Sequence, residues 1–190
     1  MNPAVRHVPD LVYGEVPGFR PLELDLYLPS SPSPAPVIVQ VHGGGWRRGS
    51  RRHSLPRLGA GFYQRLAGQG FAVAAVDYRL SGEAVYPAAL EDVRTAVGWV
   101  RKQAADYGLD GGRVFLWGDS AGGHLALMTA LTGADVQGWW PGSQSPTWPG
   151  WQATSSRPAA SSILVRNPGR RCSSARPPRI YRTWPGRPAR

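Results

Sequence analysis

Apolar residues follow a strand-like spacing in four segments that precede residue 120. In residues 22–29 (LELDLYLP), leucine alternates with polar or amphipathic residues, which predicts a strand with one buried face. Residues 37–42 (VIVQVH), 71–78 (FAVAAVDY) and 113–118 (RVFLWG) are short, nearly continuous apolar runs. Such runs are typical of strands buried on both faces of a sheet. The sequence therefore predicts four strands, three of them central.

Helical segments separate and follow these strands. Residues 58–70 and 121–133 are each predicted to form a helix that ends at a glycine. A third helix begins near Pro87 and ends at Gly108, with apolar residues along one face. The apolar residues on that face are Leu90, Val93, Val97 and Val100. This alternation predicts an α/β fold with a mostly parallel sheet and helices on both faces.

The pattern ends shortly after Gly133. Residues 138–190 hold five of the eight Trp and nine of the 19 Pro, and they contain no Asp, Glu or Lys. Proline at this frequency is incompatible with a helix interior or a central strand. We therefore divide the chain into a partial α/β domain, residues 1–137, and an irregular tail, residues 138–190, which we expect to be disordered.

The net charge of +10 is concentrated in the same tail. Nine of the 22 Lys and Arg residues, but only one of the 12 acidic residues, follow Gly133, so this part carries +8 and the rest +2. An Arg-rich segment with interspersed Trp and Tyr can bind polyanions, with a steep dependence on salt. A solvated basic segment without a specific nucleic-acid partner is the favoured interpretation.

Cysteine content and hydropathy exclude several classes of protein. Cys172 is the only cysteine, so neither a disulfide within the chain nor a zinc site of several cysteines is possible. The first residues lack the apolar core of a signal peptide, and no apolar run approaches the roughly 20 residues of a membrane span. We expect a cytoplasmic protein without membrane contact; the sequence does not specify an oligomeric state.

Residues 118–122 (GDSAG) fit the pattern G-x-S-x-G between a predicted strand and a predicted helix. In this context Ser120 lies on a tight turn that projects its hydroxyl above the sheet, and Gly118 and Gly122 allow strand and helix to approach closely. The helix N-terminus offers N–H groups to a developing oxyanion. A glycine-rich turn with a capping serine is the alternative, and the pattern alone does not exclude it.

A second motif, VHGGGW at residues 41–46, follows the earlier strand 37–42. Consecutive glycines after a strand let backbone N–H groups point into a site without obstruction by side chains. A flexible loop is the alternative interpretation. Together the two motifs indicate acyl transfer, with Ser120 as nucleophile and an oxyanion hole formed by the Ala121 N–H and the glycines.

From about Leu22 to Gly133 the chain resembles the α/β-hydrolase fold, in particular esterases with an HGGG motif. The segments VHGGGWRRGS, VDYRLSGEAVYPAALEDVRTAVGWVR and LWGDSAGGHLAL carry the resemblance, in that order. Within this fold, the chain is similar to hormone-sensitive-lipase-like and feruloyl-esterase-like (BD-FAE type) enzymes. Trp46 and the run SAGGHLA favour the feruloyl-esterase-like or arylformamidase-like branch.

The resemblance implies a set of site residues and a chemistry. It places oxyanion donors at Gly44, Gly45 and Ala121 and the nucleophile at Ser120. The supporting motif positions are His42, Gly43, Gly118 and Gly122. It implies a small-molecule ester as substrate, no cofactor and no metal, and it treats DYRL and YPAALEDV as landmarks of the fold. Hydrolysis of an ester and arylformamidase-like hydrolysis of an amide both remain open, because they use the same donors and nucleophile.

The catalytic acid and base are not identified in the sequence. Serine needs a base to act as a nucleophile, and in this fold the acid and then the histidine follow the serine along the chain. Only one histidine, His124, and one acid, Asp135, follow Ser120. His124 is four residues away on the serine's own helix, whereas the fold places the base on a late loop. His42 is interpreted as a histidine that braces the glycine loop.

A change of reading frame near Gln137 and Gly138 is the simplest hypothesis for the change in composition. The chain has 21 Arg and one Lys, as expected of a gene rich in G and C. Such a gene read out of frame encodes Arg, Pro, Gly, Ser and Trp with few acids. The chain would then be a truncated, catalytically inactive fragment. Its strand 113–118 would form an exposed sheet edge, which favours aggregation.

Overall fold

The computed structural model describes residues 5–31, 33–52, 59 and 61–141. The strands are β1 (Arg6–Gly14), β2 (Leu22–Leu28), β3 (Ala35–Val41), β4 (Ala72–Val76), β5 (Leu109–Gly118) and β6 (Gly138–Pro141). The helices are α1 (Phe62–Ala67), α2 (Ala88–Lys102), α3 (Ala104–Tyr107) and α4 (Ala121–Leu131). None of these helices is both long and apolar enough to cross a membrane.

The strands of the described residues form one sheet in the order β1-β2-β4-β3-β5-β6. β4, β3, β5 and β6 run parallel, while β2 pairs antiparallel with both β1 and β4. The parallel strands β3 and β4 are buried almost throughout, as their continuous apolar sequences predict. The carboxyl ends of β3 and β5 lie side by side, since Val41 pairs with Gly118.

Helices cover both faces of the sheet. On one face, α2 and α4 pack against the main core, into which α2 buries its predicted stripe of apolar residues. On the other face, α1 packs with Tyr27 of β2, Val73 of β4 and Trp117 of β5. The predicted architecture, a mostly parallel sheet with helices on both faces, is therefore confirmed.

Several elements differ from the predictions in extent. β1 was not predicted, because its sequence RHVPDLVYG alternates poorly and is broken at Asp10, which has a positive φ of 59°. The helix predicted over 58–70 is α1, shorter at both ends, although residues 58 and 60 lie outside the described part. The long helix predicted up to Gly108 divides into α2 and α3 at Gln103.

The expectation that residues 113–118 form an exposed sheet edge is wrong. β6 pairs in parallel with β5, from Phe115 opposite Gly138 to Gly118 opposite Pro141. Trp139 packs against the main core. Gly138–Pro141 thus forms a strand by pairing with β5, although a glycine and a proline bound it. The tail predicted to be disordered spans residues 138–190; residues 138–141 form β6, and residues 142–190, with Cys172, lie outside the described residues.

Candidate active site

The first motif forms a loop directly after β3. We call residues 42–51 the glycine loop. It starts at His42, which is 1% exposed, and its backbone takes positive φ at Gly44 (122°), Gly45 (63°) and Gly49 (110°). A Cβ on Gly44 would lie 1.9 Å from the carbonyl oxygen of Arg48, so only glycine fits there. The loop thus has a folded shape that depends on its glycines.

The second motif forms the sharp turn that the pattern G-x-S-x-G predicts. β5 ends at Gly118 and α4 begins at Ala121, with Ser120 between them at φ 51° and ψ −116°. A serine rarely adopts positive φ, and such strain is typical of functional turns held by their surroundings. Ser120 is exposed. The turn therefore presents this hydroxyl at the carboxyl edge of the sheet.

Glycines bring the two motifs into direct contact. A Cβ on Gly122 would lie 2.1 Å from the carbonyl oxygen of Val41 and 2.5 Å from that of His42. A Cβ on Gly43 would lie 2.8 Å from the carbonyl oxygen of Asp119. The first turn of α4 and the start of the glycine loop are thus packed backbone against backbone.

The predicted oxyanion donors lie on the two sides of this contact. Ala121 is the first residue of α4, and the first N–H groups of a helix have no partner within it. Gly44 and Gly45 follow Gly43, which touches the serine turn through Asp119. The N-terminus of α4 therefore directly follows Ser120, and the glycine loop packs against the turn that carries this serine.

His42 is held as part of the scaffold. Its ring stacks on that of Tyr78 with centroids 4.2 Å apart, and its backbone carbonyl accepts a hydrogen bond of 3.0 Å from the Tyr78 hydroxyl. The ring Nδ1 lies 2.8 Å from the carbonyl oxygen of Gly43. These contacts support the interpretation of His42 as the residue that braces the glycine loop.

The two candidates for base and acid point to other partners. His124 is exposed on α4, and its ring meets the Trp46 ring edge-on at 5.5 Å. Asp135 forms an ion pair of 2.7 Å with Arg101, and its side chain is 57% exposed. Within the described residues, no group of three or more His, Cys, Asp or Glu side chains is placed to hold a metal ion.

A partly buried ion cluster at the end of the glycine loop was missed in the sequence. It joins two consecutive arginines at the end of the loop to acids from β1, β2 and the end of β4. Its members are Arg51, Arg52, Asp10, Glu23, Asp25 and Asp77. The only signals were Asp25 inside an apolar strand and Arg51 after a glycine-rich motif, and neither identifies a partner. Breaking such a buried pair on one side costs about 3–5 kcal/mol.

The charge on Asp25 depends on this cluster. Asp25 is 0% exposed. Burial alone would raise its pKa, but hydrogen bonds from Arg52, the Asp10 N–H and Arg51 outweigh burial and hold the pKa of Asp25 well below its ordinary value. The carboxylate is therefore ionised in the folded chain at all but strongly acidic pH.

The lowered pKa predicts loss of stability in acid. A carboxyl whose pKa is depressed by folding stabilises the fold above its unfolded pKa of about 3.9, and the contribution is lost as pH falls through the folded pKa. We expect the urea midpoint to fall progressively below pH 4. Asp25→Asn should lower stability at pH 7 and weaken the acid dependence. An equally steep acid dependence in Asp25→Asn would contradict this assignment.

Comparison with known proteins agrees with the geometry. A family model described as BD-FAE matches residues 24–142, which include both motifs and every strand of the described residues except β1 and the first two residues of β2. The chain belongs to the BD-FAE family. The match ends one residue beyond β6, so it includes the first residues of the segment that the sequence predicted as tail.

Relatives of this BD-FAE chain are named as esterases. Esterase LipQ of Mycobacterium tuberculosis is 36% identical over 130 residues, which are 66% of this chain and 29% of LipQ. Carboxylesterase NlhH of Mycobacterium tuberculosis is 40% identical over 103 residues, which are 54% of this chain and 31% of NlhH. The chain thus spans less than a third of the length of these relatives.

A solved structure gives the fold of the BD-FAE chain. A hyperthermophilic esterase from the archaeon Pyrobaculum calidifontis superposes with a TM-score of 0.57 and 32% sequence identity. The superposition covers 72% of this chain and 42% of the archaeal chain. The chain therefore has the α/β-hydrolase fold that the two motifs predict, over part of the length of its neighbour.

Proposed function

We propose that this chain carries the nucleophile and the oxyanion donors of a serine carboxylesterase that acts on small-molecule esters. The observation that supports it best is the backbone contact between the glycine loop and the strained turn at Ser120. This contact puts a projecting hydroxyl and two sources of backbone N–H groups at one edge of the sheet. The esterase names of the relatives agree with this chemistry.

The proposed reaction proceeds through an acyl-enzyme. The Ser120 Oγ attacks the ester carbonyl carbon, and its proton passes to a base. The resulting oxyanion accepts hydrogen bonds from the N–H groups of Gly44, Gly45 and Ala121. Collapse of the tetrahedral intermediate breaks the bond to the leaving alcohol, which takes up the proton. Water then attacks the acyl-serine, again with help from a base, and releases the acid.

The base in this scheme lies outside the residues discussed so far. His124 contacts Trp46, His42 is buried against Tyr78, and Asp135 pairs with Arg101. We therefore propose that the chain by itself positions the nucleophile and the oxyanion but activates Ser120 poorly. The division into a partial domain at residues 1–137 and a tail at 138–190 is part of this proposal, with β6 as the start of the second segment.

Covalent trapping with a fluorophosphonate tests the proposal. Because Ser120 is poorly activated, we expect the adduct to form slowly but to reach one per chain, detected as a mass increase of the intact protein, with no adduct in Ser120→Ala. His124→Ala serves as the matched variant on the same helix. It should react within about twofold of the parent if His124 is not the base, whereas loss of a base would slow the reaction by about 10²–10⁴-fold. An adduct that persists in Ser120→Ala would show that another residue is the nucleophile. A loss of labelling in His124→Ala would make that histidine the base.

A further inference from the structure

Arg51, at the end of the glycine loop, is buried among acids. It is 7% exposed, and its backbone N–H donates to Asp77 Oδ1 at 2.6 Å. The guanidinium Nε donates to Asp25 Oδ1 at 2.8 Å, and Nη2 lies 3.0 Å from Glu23. Further contacts join Nη1 to Asp77 and Nη2 to Asp10. One side chain thus ties the end of the loop to β1, β2 and the end of β4.

The segment 77–81 holds the same loop at two more points. Tyr78 donates its hydroxyl to the carbonyl of His42, at the start of the loop. The N–H of Ser81 donates to the carbonyl of Trp46, in the middle of the loop, at 2.7 Å. Asp77 also accepts hydrogen bonds from Arg51. The start, middle and end of the loop are therefore all hydrogen-bonded to one short segment after β4.

These attachments add to the contacts that the loop makes within itself, such as the close approach of Gly44 to Arg48. Its donors Gly44 and Gly45 have no side chains, and glycine is the residue with the largest conformational freedom. A hydrogen bond of 3.2 Å from Arg47 N–H to the carbonyl of Gly44 closes one turn within it. The direction of the Gly44 and Gly45 N–H groups therefore depends on where the two ends of the loop are fixed.

We propose that Arg51 is a positioning residue for the oxyanion hole: by clasping Asp77 and Asp25 it fixes the end of the glycine loop and thereby the direction of the Gly44 and Gly45 N–H groups. This inference rests on the proposed function. Arg51 itself does not touch the reacting atoms. Its planar fork reaches several carboxylates at once, which a lysine ammonium on its single stem does not reproduce.

Arg52 provides a matched control from the same cluster. It is the next residue, and it pairs with two of the same acids, Asp25 at 2.9 Å and Asp10. Its side chain is 53% exposed, so its pairs lie at the solvent-facing side of the cluster. Replacing Arg52 removes one positive charge while leaving Arg51 and its bonds to Asp77 in place.

The test compares Arg51→Lys with Arg52→Met in the full chain, using two readouts. The first is hydrogen exchange of residues 43–50 measured by mass spectrometry, with β3 as internal reference. The second is the ratio of the rates at which Ser120 reacts with a phosphoryl fluoride (P=O) and with its thiophosphoryl analogue (P=S). Sulfur is a weak hydrogen-bond acceptor, so the ratio reports the oxyanion donors, whereas a smaller folded fraction lowers both rates equally.

We expect Arg51→Lys to raise exchange across residues 43–50, to slow the P=O reaction at least about tenfold and to lower the ratio, since a single oxyanion donor contributes about 10²–10³-fold. Arg52→Met should change the exchange of residues 43–50 and the ratio of the P=O and P=S rates by less than about twofold. A double variant, Arg51→Met with Asp77→Asn, removes opposite charges together and covers the case in which Arg51→Lys does not fold.

Two results would overturn the proposal. One is exchange of residues 43–50 that is the same in the Arg51 variants as in Arg52→Met. The other is an unchanged P=O to P=S ratio in a variant whose rates have fallen. If the parent chain forms no adduct at Ser120, the proposed function fails, and the hydrogen exchange alone still decides whether Arg51 fixes the loop.

Discussion

Gly122→Ala will prevent the chain from folding. The added Cβ would lie 2.1 Å from the carbonyl oxygen of Val41 and 2.5 Å from that of His42, far inside van der Waals contact. Both obstacles are backbone atoms at the end of a central strand, so neither can rotate away. Overpacking against atoms that can adjust already costs about 1–3 kcal/mol, and a domain has only about 5–15 kcal/mol in total. We expect either insoluble protein or a free energy of unfolding that is lower than that of the parent by more than about 3 kcal/mol.

Gly98→Ala is the control for this prediction. Gly98 lies exposed in α2, and a Cβ there meets nothing within 4 Å. The same substitution in an open helix position should stabilise the chain by about 0.5–1 kcal/mol, because alanine loses less backbone entropy than glycine. A Gly122→Ala variant that unfolds at the urea concentration of the parent would contradict the close contact between the serine turn and β3.

Added imidazole will restore ester hydrolysis that depends on Ser120. Because we propose that the chain activates Ser120 poorly, turnover of 4-nitrophenyl acetate should be slower than that of a complete serine esterase by a factor on the order of 10⁶, the size of the loss when a triad histidine is removed. A free base accepts the same proton without being held in place. We expect the Ser120-dependent rate to rise about tenfold at about 0.1 M imidazole, below the 10²–10⁴-fold that a positioned general base contributes, because free imidazole is not held beside the hydroxyl.

Ser120→Ala separates this effect from the reaction of imidazole with the ester itself. The variant should show only the rate of the buffer with the same imidazole concentration. A parent chain that gives no excess over Ser120→Ala at any imidazole concentration would contradict the proposed role of Ser120. A fast, imidazole-independent excess would show instead that the chain already contains a working base.

The spacing of apolar residues, which alternates between strand-like and helix-like along the chain, was sufficient to predict the fold. β3, β4 and β5 have continuous apolar sequences, and α2 has a clear apolar stripe, so pattern and structure agree there. β1 and β6 were not predicted, because they lie at the edges of the sheet and owe their conformation to the neighbouring strand. Gly138–Pro141 has the composition of a turn and becomes a strand only by pairing with β5.

The site was predictable where local sequence determines it. The turn at Ser120 and the glycine loop need glycine at fixed positions, and those positions are visible as motifs. Arg51 was not predictable, because its partners come from three separate parts of the chain, from Asp10 to Asp77. Spacing along the sequence carries no information about such a cluster, which only the assembled sheet brings together.

A structure of the chain after reaction with a fluorophosphonate tests the central claim most directly. We expect phosphorus bonded to Ser120 Oγ and the phosphoryl oxygen within about 2.7–3.1 Å of the backbone nitrogens of Ala121 and of Gly44 or Gly45. Phosphorus on another residue, or an adduct at Ser120 whose phosphoryl oxygen points away from the glycine loop into solvent, would contradict it.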